Sequence, residues 1–227
     1  MSIRNCEVTQ IMRSKFRMWL AASFLVTLGL MLTAGQAFAY SSNGSTAASY
    51  ADTYWSNYNP NYPSFADDCT NFVSQSLYAG GLPEYFYYNL HTGAPETTSD
   101  NLYWFMDTSN INYAYSWTVA ADLYAHLTQY GYGTLYATHP GTDTALTTGI
   151  DKGDVLFYNW GEPGNPPGTA GINHATIQTG YGTTSDGYAN ANYVDSHTNN
   201  RYHVLWSLIT DNQRRATTTI YLVHIPS

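Results

Sequence analysis

The sequence predicts an α+β fold, with N-terminal helices packed on one face of an antiparallel β-sheet. Helical periodicity is confined to residues 47–130, and short β-rich runs separated by Gly, Pro and Asn take over after Gly153.

The first segment is an export signal. Arg4, Arg13, Lys15 and Arg17 precede an apolar run from Met18 to Leu32, followed by Ala37-Phe38-Ala39. A membrane-spanning helix needs about 20 apolar residues, so this run is too short to span and the Ala-x-Ala site marks cleavage after Ala39. Residues 1–39 are therefore read as a signal peptide and residues 40–227 as one domain. Export implies a secreted protein with no stable membrane insertion after cleavage. Residues 1–39 hold four of the eight Lys+Arg and only Glu7 of the sixteen acids, so the rest carries four cations against fifteen anions, net −11. Nucleic acid is excluded as a partner on that charge.

Ala47, Ala51, Tyr54, Trp55 and Tyr58 fall at helical spacing before the breaks at Asn59-Pro60 and Tyr62-Pro63. A second helix is expected from Cys69 to Ala79, capped by Asp67 or Asp68 and closed by Gly80-Gly81. Residues 82–112 lack periodicity and read as aromatic-rich loops. A third helix is expected after Ser116, with Ala120, Leu123, Tyr124, Leu127 and Tyr130 on one face. Strands follow at Asp154–Tyr158, His174–Thr179, Tyr193–His197, Tyr202–Leu208 and Thr217–Ile225.

Cysteine count sharpens the question of chemistry. Cys6 leaves with the signal, so Cys69 remains as a lone thiol in an oxidising compartment and no internal disulfide can form. Cys69, Phe72, Val73, Ser76 and Leu77 form the core-facing stripe of the second helix. That position suits either a small buried hydrophobe or a nucleophile at a helix start, where unpaired N–H groups favour the thiolate. A nucleophilic thiol needs a histidine. His174 opens a strand and shares a polar face with Thr176 and Gln178, while Ala175 and Ile177 point the other way. Asp195 or His197, on one face of the next strand, could orient the His174 ring. His224 reads as a core residue, His91 and His139 as loop residues, and His126 as exposed on its helix. There is no H-E-x-x-H, cysteine pair or phosphate-cradling loop, so no metal or cofactor is expected.

The string Asp68-Cys69-Thr70-Asn71-Phe72-Val73-Ser74-Gln75, followed by Ala79-Gly80-Gly81, resembles the putative amidase domain family of secreted bacterial proteins. That family is related to the papain-like (NlpC-like) cell-wall amidases and peptidases. The likeness runs from Tyr50-Ala51-x-x-Tyr54-Trp55 to His197-Thr198-Asn199-Asn200-Arg201. It implies a papain-like core in which Cys69 is the nucleophile, His174 the base and His197, rather than Asp195, the third member. Asp154 matches within Gly153-Asp154-Val155 and is assigned to the turn or the sheet. Asp68 is assigned either to the helix cap or to binding a substrate amine. The insertion Tyr181–Asn192 lengthens the turn between the two site strands. The expected activity is that of a secreted cysteine amidohydrolase or peptidase cleaving a peptide or cell-wall amide through a thioester. The alternative is a non-catalytic cell-wall or saccharide-binding module on the same fold.

Overall fold

In a computed structural model describing residues 42–145 and 148–227, two N-terminal helices lie against one face of a six-stranded antiparallel sheet. The expected signal peptide lies outside the described residues, all of which fall in one unit, Tyr40–Ser227. No helix among the described residues is long and apolar enough to cross a membrane.

Helix α1 spans Gly44–Tyr54 and starts where Asn43 Oδ1 accepts the Thr46 N–H at 2.9 Å. It begins three residues before the apolar periodicity, because the Asn43 cap rather than the first buried alanine sets the start. Gly44 has to be glycine, since a Cβ there would collide with the Lys152 carbonyl oxygen. Helix α2 runs Cys69–Ala79, the expected bounds, and ends as the Gly80 N–H bonds to the Ser76 carbonyl and Gly81 turns with φ 97°. Strands β1 (Met106–Asp107) and β2 (Asn112–Tyr113) form a small hairpin inside the loop-rich stretch. The expected third helix is in fact two, α3 (Tyr115–Thr118) and α4 (Ala120–Gln129), because Val119 between them is extended. His126, expected on the exposed side, is fully buried.

The sheet contains β3 (Thr134–Pro140), β4 (Val155–Asn159), β5 (His174–Gly182), β6 (Ala191–Ser196), β7 (Arg201–Leu205) and β8 (Thr219–His224), in the order β3-β8-β4-β5-β6-β7. β3 escaped the sequence reading: it is an edge strand without a buried position, and Pro140 at its end is tolerated only there. The sheet separates two cores. Val155, Phe157, Ala175, Ile177 and Val223 face Phe72, Val73 and Leu77 of α2 and Leu123 of α4. Leu156, Tyr158, Val194 and Leu222 point the other way, against Trp206 and Leu208. Strand β4 is buried along its whole length because both of its faces are covered. The same cover buries the face of β5 that sequence alternation marked as polar, so His174, Thr176 and Gln178 are all at most 5% exposed.

Candidate active site

Cys69 is the first residue of α2 and is 5% exposed. Its Sγ lies 3.7 Å from Thr70 Oγ1 and accepts the backbone N–H of Ala175 on β5. Burial pushes the thiol above its ordinary range, and hydrogen bonds from the Ala175 backbone and from the Thr70 hydroxyl and backbone only partly offset this. At neutral pH the resting group is a closed-in thiol beside the start of the strand that His174 opens.

The His174 ring does not meet that sulfur. His174 pairs with Tyr158 across β4 and β5, and paired residues share a face, so its ring lies on the side of the sheet away from α2. There it stacks on Trp160 at 5.3 Å and sits 5.6 Å from Tyr158, between centroids. Burial, with the Arg201 guanidinium adding to it, lowers its pKa to about 3, so the imidazole is neutral. Its Nε2 is buried without a hydrogen-bond partner.

Neither residue expected to orient His174 reaches it. Asp195 is paired with Ile177, on the helix side of the sheet. His197, just beyond β6, is stacked between Phe72 of α2, 4.1 Å away, and Tyr58, 4.2 Å away. Its Nδ1 is 2.6 Å from Asp68 Oδ2 and its Nε2 is 2.8 Å from the Tyr54 carbonyl oxygen. Each ring nitrogen faces an oxygen, so the ring is held from both sides. The pair is 2% and 1% exposed and joins the end of α1, the start of α2 and the end of β6.

Asp68 is likewise not available to a substrate amine. Besides His197, its carboxylate accepts the Phe65 N–H and the Asn71 side-chain amide, each at 2.9 Å. It occupies the cap position of α2 without a side-chain bond to the helix N–H groups. Its own N–H donates to Thr198 Oγ1 at 2.8 Å. Thr198 has φ 55°, a left-handed conformation that β-branched residues avoid, and Asn199 follows at φ 68°. This gives the H-T-x-N string a physical reason: the turn aims both the His197 ring and the Thr198 hydroxyl at Asp68. The remaining letters of the D-C-T-N-F-V-S-Q string are also engaged. Asn71 accepts from Trp117 Nε1 at 2.9 Å, Ser74 Oγ accepts from Trp104 Nε1 at 3.2 Å, and Gln75 accepts from the Tyr50 hydroxyl at 2.7 Å.

Asp154 serves the sheet, as expected, by accepting the N–H groups of Asp151 and Ile225 at 2.8 and 2.9 Å. His224 is not a core residue: its side chain is 35% exposed and stands 3.1 Å from Asp154. Sequence reading also gave no role to Asp52 and His203, which the fold brings together with Asp195. Burial first, and the facing Asp52 charge among the further causes, raises the Asp195 carboxyl to about 7.

No solved structure matches this chain. It is 35% identical over 143 residues to the uncharacterized protein YhbB of Bacillus subtilis (strain 168), a stretch covering 63% of the chain and 38% of that protein. The matched stretch is thus well under half of that relative's length. The model of the putative amidase domain matches residues 41–221, which include Cys69, His174 and His197. The chain belongs to the putative amidase domain family, and that membership points to amidohydrolase activity.

Proposed function

We propose that this chain hydrolyses an amide bond of an extracellular substrate, with Cys69 as nucleophile and His174 as proton carrier. The observation that carries the reading is the position of the sulfur. It lies at a helix start and takes the N–H of Ala175, one residue from His174. His174 accepts the thiol proton, and the thiolate attacks the carbonyl carbon. Backbone N–H groups at the start of α2 stabilise the oxyanion, and His174 returns the proton to the leaving amine. Water then hydrolyses the thioester, releasing the acid and restoring the thiol. For this the start of β5 has to change its backbone conformation as the His174 ring leaves Trp160, because a strand residue cannot reach the other face by side-chain rotation; its Nε2 has no hydrogen bond to give up in doing so. His197, with both nitrogens engaged, holds the start of α2 in position.

Export by residues 1–39, the papain-like relationship and a cell-wall peptide as substrate belong to the same proposal. They rest on the N-terminal sequence pattern, on the family resemblance of the string around Cys69 and on a composition rich in hydroxyls and amides but poor in ions. A second reading, a non-catalytic saccharide-binding module, is favoured by the exposed Tyr85, Tyr87 and Tyr88 and by a cleft of ≈ 280 Å³ lined by Phe86, Tyr88, Pro95 and Phe105.

Digestion of purified peptidoglycan and of simple peptide amides, with mass spectrometry of the products, tests the two readings together. Hydrolysis by the wild type that falls at least a thousandfold in Cys69→Ala and in His174→Ala is expected. Hydrolysis undiminished in Cys69→Ala would overturn the nucleophile assignment, and saccharide binding without turnover would favour the module.

A further inference from the structure

Outside the Cys69 region the fold gathers three potential ligands from three elements. Asp52 comes from the last turns of α1, Asp195 from β6 and His203 from β7, and one ligand atom of each lies within 4.8 Å of the others. His203 Nε2 is 2.8 Å from Asp52 Oδ1. The His203 ring is fixed between Tyr193 and Tyr202, at centroid distances of 4.2 and 3.7 Å.

Asp195 supplies the independent observation. It is completely buried, yet only one of its carboxylate oxygens is satisfied. Oδ1 accepts the His203 N–H at 2.7 Å and the Thr179 hydroxyl at 3.2 Å, while Oδ2 has no N–H or O–H donor and the carboxyl meets that of Asp52. Two buried or half-buried carboxyls can meet in this way only when a proton or a cation lies between them, and among the described residues no Lys or Arg side chain fills that place. Among the described residues no Lys or Arg forms an ion pair with either acid.

We propose that Asp52, Asp195 and His203 form a binding site for a divalent transition cation of the zinc class. Two carboxylates and an imidazole, with no thiolate, are a donor set that suits zinc or manganese. With metal–ligand bonds of about 2.1 Å, tetrahedral ligands stand about 3.4 Å apart, so the His203–Asp52 pair has to open by roughly half an ångström and any pair near the 4.8 Å limit has to close to admit the ion. The Asp52 side chain is 38% exposed, which gives the cation a way in and leaves room for a water ligand. The ion would pin the C-terminal half of α1 to the β6–β7 pair. Two residues after Asp52, the Tyr54 carbonyl receives His197, so the same clamp would steady the start of α2.

Equilibrium dialysis of the full chain against zinc chloride, with elemental analysis of bound metal, tests this. The Cys69→Ala background removes the thiol as a competing ligand. One zinc per chain is expected, with affinity falling at least tenfold in Asp195→Asn and in His203→Gln. Zinc should also raise the melting temperature of the parent and not of the variants. Should Asp195→Asn fail to fold, Asp52→Asn, at the exposed side of the cluster, gives the same reading. Equal zinc uptake by the parent and the folded variants, or no uptake by the parent at micromolar zinc, would overturn the site.

Discussion

Asp68 Oδ2 and His197 Nδ1 stand 2.6 Å apart in a site that is almost closed to water, although 129 residues separate them in the chain. Breaking a buried pair leaves the other member uncompensated, which costs about 3–5 kcal/mol. Asp68→Ala and His197→Ala are therefore each expected to lower stability by that order in urea melts. The double variant should cost clearly less than the two singles added, because the second deletion removes the group that the first left unpaired. Additive losses would mean that the two residues act separately.

The raised pKa of Cys69 predicts a slow thiol. With substrate absent, iodoacetamide should alkylate Cys69 more slowly at pH 7 than a free cysteine. The rate should rise with pH and reach its midpoint above the ordinary thiol range, because burial opposes the thiolate and Asp67 adds a like charge. Mass spectrometry of the alkylated protein across a pH series measures this. Fast alkylation with a midpoint below pH 7 would refute the closed resting thiol.

Two buried histidines set the acid side of the stability profile. His174 is lowered to about 3 and His126 to about 4, both chiefly by burial. A histidine whose folded pKa lies below its unfolded value of about 6.5 binds more protons when unfolded, so stability is lost as pH falls from about 6.5 towards the folded pKa. Asp195, raised to about 7, acts in the opposite sense between its unfolded pKa and 7, where protonation favours the fold. The net slope below pH 6.5 should therefore be shallower than two histidines alone would give. Asp195→Asn should steepen it and His174→Gln should flatten it, as read from urea midpoints at several pH values.

The bounds of α2 were legible because Gly80-Gly81 and the apolar stripe from Cys69 to Leu77 are local signals. The same holds for the strand that His174 opens, whose alternation correctly separated His174, Thr176 and Gln178 from Ala175 and Ile177. What alternation could not reveal was the second core under Trp206 and Leu208, which turns the polar face into a buried one. The break at Val119 and the edge strand β3 left no hydrophobic signature to read. The pairing of Asp68 with His197 and of Asp52 with His203 depends on contacts across 129 and 151 residues. Only the family string hinted at the first. Nothing in the sequence pointed to the second, since Asp52, Asp195 and His203 follow no metal-ligand spacing.

Trp160 stacks on His174 on the face of the sheet away from the sulfur, where the strand register points the ring. If the start of β5 rearranges to bring His174 to Cys69 for catalysis, that stack opposes the step. Trp160→Leu keeps the site apolar while removing most of the stacking surface, so the rearrangement should occur more readily. Alkylation of Cys69 at pH 7 should then speed up several-fold, because a neutral imidazole beside the thiol takes its proton. The double variant Trp160→Leu/His174→Gln should return to the slow wild-type rate. This separates a base brought to the sulfur from simple loosening of the fold, which would speed alkylation with or without the imidazole. A rate in Trp160→Leu equal to that of the wild type would leave His174 on the far face of the sheet and remove it from the proposed mechanism.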